Sequence, residues 1–260
     1  LATKIAGPGD YTAHIRKTGF KGNSINEAVE GSLKRLQTDY IDLYQLHWPE
    51  RITNTFGNRS FQYFNDSWED NFEEILHILK SLIGEGKIRH VGLSNENPWG
   101  IMKFLEYVKK GLPKMITIQN PYSLLNRLFE VGSSEICKRE SVGLLAYSPL
   151  GFGVLSGKYM NKKMPENSRL DLFPNLKRYS NVNSFKATEL YNEIANKHGI
   201  SLTDLSLSFV NDRPFVTSNI IGATSISQLK ENIESINVKL SPEIIKEINE
   251  VNELIPNPAP

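Results

Sequence analysis

An apolar run of strand length that turns polar only at its C-terminal end recurs along this chain, and it narrows the possible folds more than any other feature. Tyr40-Ile41-Asp42-Leu43-Tyr44-Gln45-Leu46-His47-Trp48-Pro49 is the clearest copy. A run of this kind is best buried on both faces, as in a parallel sheet. Its polar residues fall where ligands bind in parallel α/β folds. The pattern returns in Lys87 to Asn95, Ile116 to Tyr122, Val142 to Pro149 and Ser218 to Thr224, and Leu1 to Ile5 reads as a shorter copy. The polar ends are His47, Ser94-Asn95, Gln119-Asn120, Tyr147-Ser148 and Thr224-Ser225.

Helical periodicity fills the gaps. Apolar spacing predicts helices over about 24–37, 69–83, 98–110, 127–139, 185–197, 202–211, 225–236 and 241–254. Ser24-Ile25-Asn26-Glu27 reads as a capping box. Glu50 to Trp68 is a long polar and aromatic loop leaving a strand's C-terminal end, where it would overhang a site. Six strands alternating with eight helices specify an α/β fold with a parallel sheet. Neither GxGxxG nor GxxxxGK[ST] occurs, so a glycine-fingerprint doubly wound sheet is disfavoured. Several polar strand ends gathered at one mouth is the plan of a (β/α)8 TIM barrel.

Six strands do not close such a barrel. The chain opens inside a strand-like run, without an initiating Met. Two further βα units, on the order of 80 residues, are therefore expected before Leu1. On this reading residues 1–260 are one barrel domain, incomplete at the N-terminal end.

Composition sets the remaining bounds. A formal net charge of +1 leaves no basic footprint for nucleic acid or an anionic membrane. The single cysteine forbids an internal disulfide, which suits a reducing compartment, and the expected location is cytoplasmic. No run is long enough for a membrane helix. The five histidines, His14, His47, His77, His90 and His198, lack metal-ligand spacing, so no metal is expected.

Read together, these stretches resemble the aldo-keto reductases, the bacterial-type branch near the potassium-channel β-subunits. The resemblance runs through Leu1-Ala2-Thr3-Lys4, Ser32 to Leu43, His47-Trp48-Pro49, Gly84 to Arg89 and Gly92-Leu93-Ser94-Asn95. It continues through Gln119-Asn120-Pro121-Tyr122, Tyr147 to Gly151, Leu155 to Tyr159, and Gly222-Ala223-Thr224 with Gln228 and Glu231-Asn232. It implies a (β/α)8 barrel that moves a hydride between NADP(H) and a carbonyl or alcohol, using a Tyr, Lys, His and Asp set. Lys4 and His47 match the catalytic lysine and histidine. The family's tyrosine and aspartate fall in the two units expected before Leu1, so this chain by itself is expected to be inactive.

The resemblance also implies cofactor positions. Ser94, Asn95 and Gln119 match residues that hold the nicotinamide carboxamide, whose donors and acceptor suit amide side chains. Tyr147 matches the aromatic under the nicotinamide ring. Ser148, Pro149, Leu150, Gly151 and Gly153 match the loop over the pyrophosphate, where glycine lets backbone N–H groups approach. Gly222, Thr224 and Ser225 precede a helix whose dipole favours phosphate. Gly222 and Gln228 stand where many members carry basic residues. Lys158 and Arg169 supply the 2′-phosphate cations instead, as in the channel-related branch. Glu231 and Asn232 match adenine positions. The implied partner is a small carbonyl substrate, and an oligomer is possible without being indicated. The competing reading is a non-catalytic NADP(H)-binding module that senses redox state.

Overall fold

The computed structural model describes residues 1–63 and 65–260, so position 64 of the expected 50–68 loop lies outside the described residues. The chain packs as two compact units. The first lobe holds residues 1–55, 60–120 and 136–143, and the second holds 56–59, 121–135 and 144–260. Strands alternate with helices throughout, and the fold is α/β with parallel pairing, the arrangement of repeated βα units.

In the first lobe β1 (Ala2–Ile5), β2 (Ile41–Leu46), β3 (Ile88–Ser94) and β4 (Met115–Pro121) pair in chain order. Ile5, Ile41, Leu46, Val91, Leu93 and Ile118 are buried in this sheet. Between the strands run α1 (Ser24–Leu36), α2 (Phe72–Gly84) and α3 (Pro98–Glu106). Ile75, Leu76, Leu79 and Leu82 form the buried stripe of α2, each worth about 2 kcal/mol of apolar burial. α2 stops because Gly86 turns left-handed at φ 74°, and Lys87 N–H then closes back on Leu82. The expected capping box at Ser24 does not form. Ser24 lies inside the helix with its hydroxyl on Thr18 at 2.8 Å, and Asn23 is the residue at the cap.

The helix expected over 127–139 is broken at Gly132. A 3-10 turn (Leu128–Val131) precedes α4 (Ser133–Glu140), which carries Cys137, the buried sole cysteine. β5 (Gly143–Tyr147) enters the second lobe at Leu144, and the short α5 (Arg169–Leu172), α6 (Val182–Lys197) and α7 (Leu202–Asn211) follow there. β6 (Val216–Asn219), α8 (Ile226–Glu234) and α9 (Pro242–Leu254) close it. β6 starts earlier than expected: it pairs with β5 through Val216, Ser218 and Asn219, and Ile220 to Thr224 lie beyond its end. Asn219 pairs with Ala146 near the end of β5, so β6 stops where its neighbour does. Tyr122 stacks on Phe209 at 5.9 Å in the core of this lobe. The proline-rich tail is tied down: Ala259 N–H donates to Leu125 O at 3.0 Å and Arg178 Nε to Pro260 O at 2.6 Å.

Candidate active site

Parallel pairing sets Lys4 opposite Gln45 and Ile5 opposite Leu46, one step before the chain reaches His47. His47 N–H then donates to Ile5 O at 3.2 Å, extending the ladder past the strand. Lys4 and His47 therefore meet at one end of β1 and β2. Burial lowers the Lys4 pKa. Burial, and after it the Lys4 charge, lowers the His47 pKa to about 4. The imidazole is neutral at pH 7 and free to hydrogen-bond without charge. Trp48 lies against it at 4.5 Å and donates from its indole N–H to Pro8 O at 2.8 Å. Only glycine fits at position 7, where a Cβ would stand 2.3 Å from the Trp48 ring.

The end of β3 joins the same group. Ser94 Oγ donates to Gln119 O at 2.8 Å, and Asn95 N–H donates to the same carbonyl at 3.1 Å. Asn95 Nδ2 donates to His47 O at 2.9 Å and to Ser94 Oγ at 3.2 Å. Asn95 holds φ at 52°, a left-handed conformation that asparagine tolerates. Lys4, His47, Ser94, Asn95 and Gln119 are thus assembled in the first lobe, with the Asn95 amide N–H committed to the His47 carbonyl.

Sequence reasoning did not single out Gln45, Arg51 and Glu96. Gln45 is fully buried, donates to Gln119 Oε1 at 3.2 Å, and leaves its own Oε1 without a partner among the described residues. A polar residue two positions before His47 in an apolar run was the available signal, since alternation puts both on one face. Arg51 and Glu96 form a buried ion pair. No spacing links positions 51 and 96, and only the tertiary fold brings them together.

The second lobe carries the remaining candidates on loops. Tyr147 ends β5 half-buried, and burial raises its pKa against the pull of the Arg178 guanidinium. On either side of Pro149 and Leu150 the chain turns left-handed: Ser148, Gly151, Phe152 and Gly153 have φ between 51° and 88°. Within this loop the N–H groups of the two glycines are engaged by the turn itself. Gly151 N–H is taken by Ser148 O and Gly153 N–H by Leu150 O, both at 2.9 Å. The glycines serve the turn and its clearance. A Cβ on Gly153 would stand 2.7 Å from Lys158 Cε and 2.9 Å from Nζ, so the lysine folds directly over this backbone. Arg169 reaches the same loop, with its guanidinium 4.4 Å from the Phe152 ring. Among the described residues neither cation is paired with a carboxylate.

Ser225 caps α8, and Gln228 reaches back past it to Thr224. Gln228 N–H donates to Ser225 Oγ at 3.2 Å, and Gln228 Oε1 accepts from Thr224 N–H at 3.0 Å. Gly222 O accepts from buried Asn232 at 3.5 Å, and Glu231 accepts from Ser201 Oγ at 3.4 Å. Gly222, Thr224, Gln228, Glu231 and Asn232 are thus engaged within the lobe, which gives the last three structural work. Among the described residues, His198, Glu243 and Glu247 come close enough to hold a cation. Both carboxylates are already paired with the Lys197 ammonium, 2.5 Å from Glu247 and 3.5 Å from Glu243, and Glu247 also meets His198 Nε2 at 3.1 Å. No helix among the described residues is long and apolar enough to cross a membrane.

Comparison with known proteins places relatives beside this geometry. The profile of the aldo/keto reductase family matches residues 1–253. "Protein tas" of Escherichia coli K12 is 44% identical over 263 residues, covering all of this chain and 76% of that protein. An "Aldo-keto reductase" of Babesia bovis is 40% identical over 249 residues, 90% of this chain and 87% of its own length. The E. coli K12 "L-glyceraldehyde 3-phosphate reductase" is 30% identical over 219 residues, 81% of this chain and 57% of that protein. These matches do not by themselves support the expectation of two further βα units before Leu1.

Proposed function

Because the chain belongs to the aldo/keto reductase family, we propose that its residues serve NADPH-dependent hydride transfer between the nicotinamide and a small carbonyl or alcohol. The observation that carries this reading is the assembly of Lys4, His47, Ser94, Asn95 and Gln119 at the C-terminal ends of parallel strands in one lobe. A carbonyl accepting hydride develops negative charge on oxygen and needs donors and positive charge there. His47, kept neutral, donates a hydrogen bond to that oxygen. Lys4, half-buried and among the described residues without a counter-ion, supplies the positive field and lowers the pKa of a phenol beside it.

NADPH, when bound, supplies the hydride. Ser94 and Gln119 take its carboxamide, Tyr147 its ring, and the Ser148–Gly153 loop its diphosphate. Lys158 and Arg169 take the 2′-phosphate. What supports the last assignment is the pair of cations at one left-handed loop, unpaired with any carboxylate among the described residues. Two cations favour NADPH over NADH, which would leave them unmatched.

The test is titration of these 260 residues with NADPH and with NADH, followed by intrinsic fluorescence. NADPH-selective binding is the expected result, and equal or absent binding of both overturns the assignment. No tyrosine of this chain matches the family's proton donor, so the same chain is expected to reduce no carbonyl. Turnover would refute that expectation. A second reading, a non-catalytic redox-sensing module, draws on the exposed apolar stripe of α8, where Ile226 is 76% and Ile233 57% exposed. Turnover after a phenol is supplied beside Lys4 separates the two.

A further inference from the structure

Arg51 and Glu96 play no part in the chemistry above, yet they are the most deeply buried ion pair among the described residues of the first lobe. Their side chains are 9% and 3% exposed. The contact is a two-pronged fork, Nη1 to Oε2 at 3.0 Å and Nη2 to Oε1. The guanidinium also lies 4.8 Å from the Trp99 ring centroid. Glu96 Oε1 accepts Asn97 N–H at 2.7 Å, and Glu96 O accepts Asn120 Nδ2 at 2.9 Å. Asn97 Nδ2 donates onward to Thr53 Oγ1 at 2.8 Å and Asn54 O at 2.9 Å. Gly100 must lack a side chain, because a Cβ there would stand 2.4 Å from the Glu96 carboxyl and 2.6 Å from Arg51 Nη2.

Such a pair is a poor source of stability. Stripping water from both charges cancels most of their attraction, and apolar residues of similar volume often serve as well. Burial pushes the Glu96 carboxyl up, with the Arg51 fork and the Asn97 N–H pulling it back. What a bidentate fork does provide is a fixed distance and angle. Arg51 follows His47 by four residues, and Glu96 directly follows Ser94 and Asn95. The fork therefore joins the two peptides that leave β2 and β3. The same two peptides are joined closer to the site by Asn95 Nδ2 on His47 O.

We propose that the Arg51–Glu96 pair is a positioning device that holds the segments after β2 and β3 in one register, so that the His47 imidazole and the Ser94–Asn95 pair are presented together. This rests on the reading of those residues as site residues. Neither Arg51 nor Glu96 is assigned contact with substrate or cofactor. A second clamp outside the site removes the freedom that one hydrogen bond leaves, and a misplacement of about 1 Å costs on the order of a hundredfold in rate.

The test is Arg51→Met combined with Glu96→Leu in the full chain, which removes both charges and keeps the volume. Three readouts are taken: the thermal melt, residue-resolved amide exchange and NADPH titration. The expected result is a melt close to the parent. The His47 and Asn95 amides should exchange about tenfold faster while those of mid-β2 do not change. NADPH binding should weaken about tenfold. Unchanged local exchange with unchanged binding overturns the proposal. So does faster exchange throughout the lobe with a lowered melt, which makes the pair merely structural. Glu96→Gln keeps the shape and covers the case in which the double variant does not fold. It should give the same local acceleration at about threefold, and no local change in it is equally fatal. If neither parent nor variant binds NADPH while local exchange rises as expected, the cofactor reading fails and the positioning role stands.

Discussion

The two lobes present their candidate residues by opposite means. In the first, side chains do the work: Ser94, Asn95, Gln119 and Gln45 are bonded to one another or to backbone, and the segments beneath them are joined by a buried ion pair. In the second, backbone conformation does it. A run of left-handed residues shapes the 148–153 loop, and its cations lie at the surface, Arg169 exposed and Lys158 half-buried. The difference follows from what each end of the proposed reaction needs. Hydride transfer depends steeply on geometry, so the groups around it must be locked. Charge attraction falls off slowly with distance, so phosphate can be held by side chains that keep some freedom.

The largest expected effect probes the locked side. Glu96→Leu alone strands a buried guanidinium and should cost about 3–5 kcal/mol in urea unfolding. A loss under about 1 kcal/mol would erase the contrast between the lobes. Next comes the charged side. Lys158→Ala with Arg169→Ala should weaken NADPH by about thirtyfold, near 2 kcal/mol, and NADH by under about threefold. Equal losses for both cofactors would remove the 2′-phosphate from that loop. Gly153→Ala then tests whether backbone shape matters there. At φ 88°, with Lys158 folded over it, the substitution should cost about 1–2 kcal/mol, and a neutral melt would count against a shaped loop.

The smallest effect concerns pH. His47 titrates near 6.5 in an unfolded chain and at about 4 here, because burial and the Lys4 charge oppose its protonation. Between those values the unfolded chain binds a proton that the folded chain does not. The contribution is thus intact above pH 6.5 and is lost as pH falls toward 4. With the site partly open it should stay under about 1 kcal/mol. His47→Gln should flatten this part of the pH profile of stability, and an unchanged slope would mean that His47 is not the group responsible.

How much could be read beforehand depended on whether a signal was local. His47, Ser94 and Gln119 follow from apolar runs that turn polar, because the strand period and the polar break lie in adjacent residues. The helix starts at Pro98 and near Pro242 follow from proline at the first turn. Ser24 misled because Asn23 beside it competes for the cap and Thr18 takes the serine hydroxyl. β6 was displaced toward the C-terminus because Ile220-Ile221 looks more strand-like than Val216-Thr217, while pairing with Ala146 stops the strand at Asn219. The Arg51–Glu96 pair and the Gln45–Gln119 bond join residues 45 and 74 positions apart, and nothing along the chain announces either.

Cys137 gives this chain a clock. Its thiol is 3% exposed and burial pushes its pKa up to about 12, so almost none of it is the reactive thiolate at neutral pH. A maleimide dye can reach it only when α4 loosens. As the sole cysteine, it makes the labelling rate under native conditions report one event at one place, and a bound molecule that steadies α4 would slow the dye without the need for any assay of chemistry.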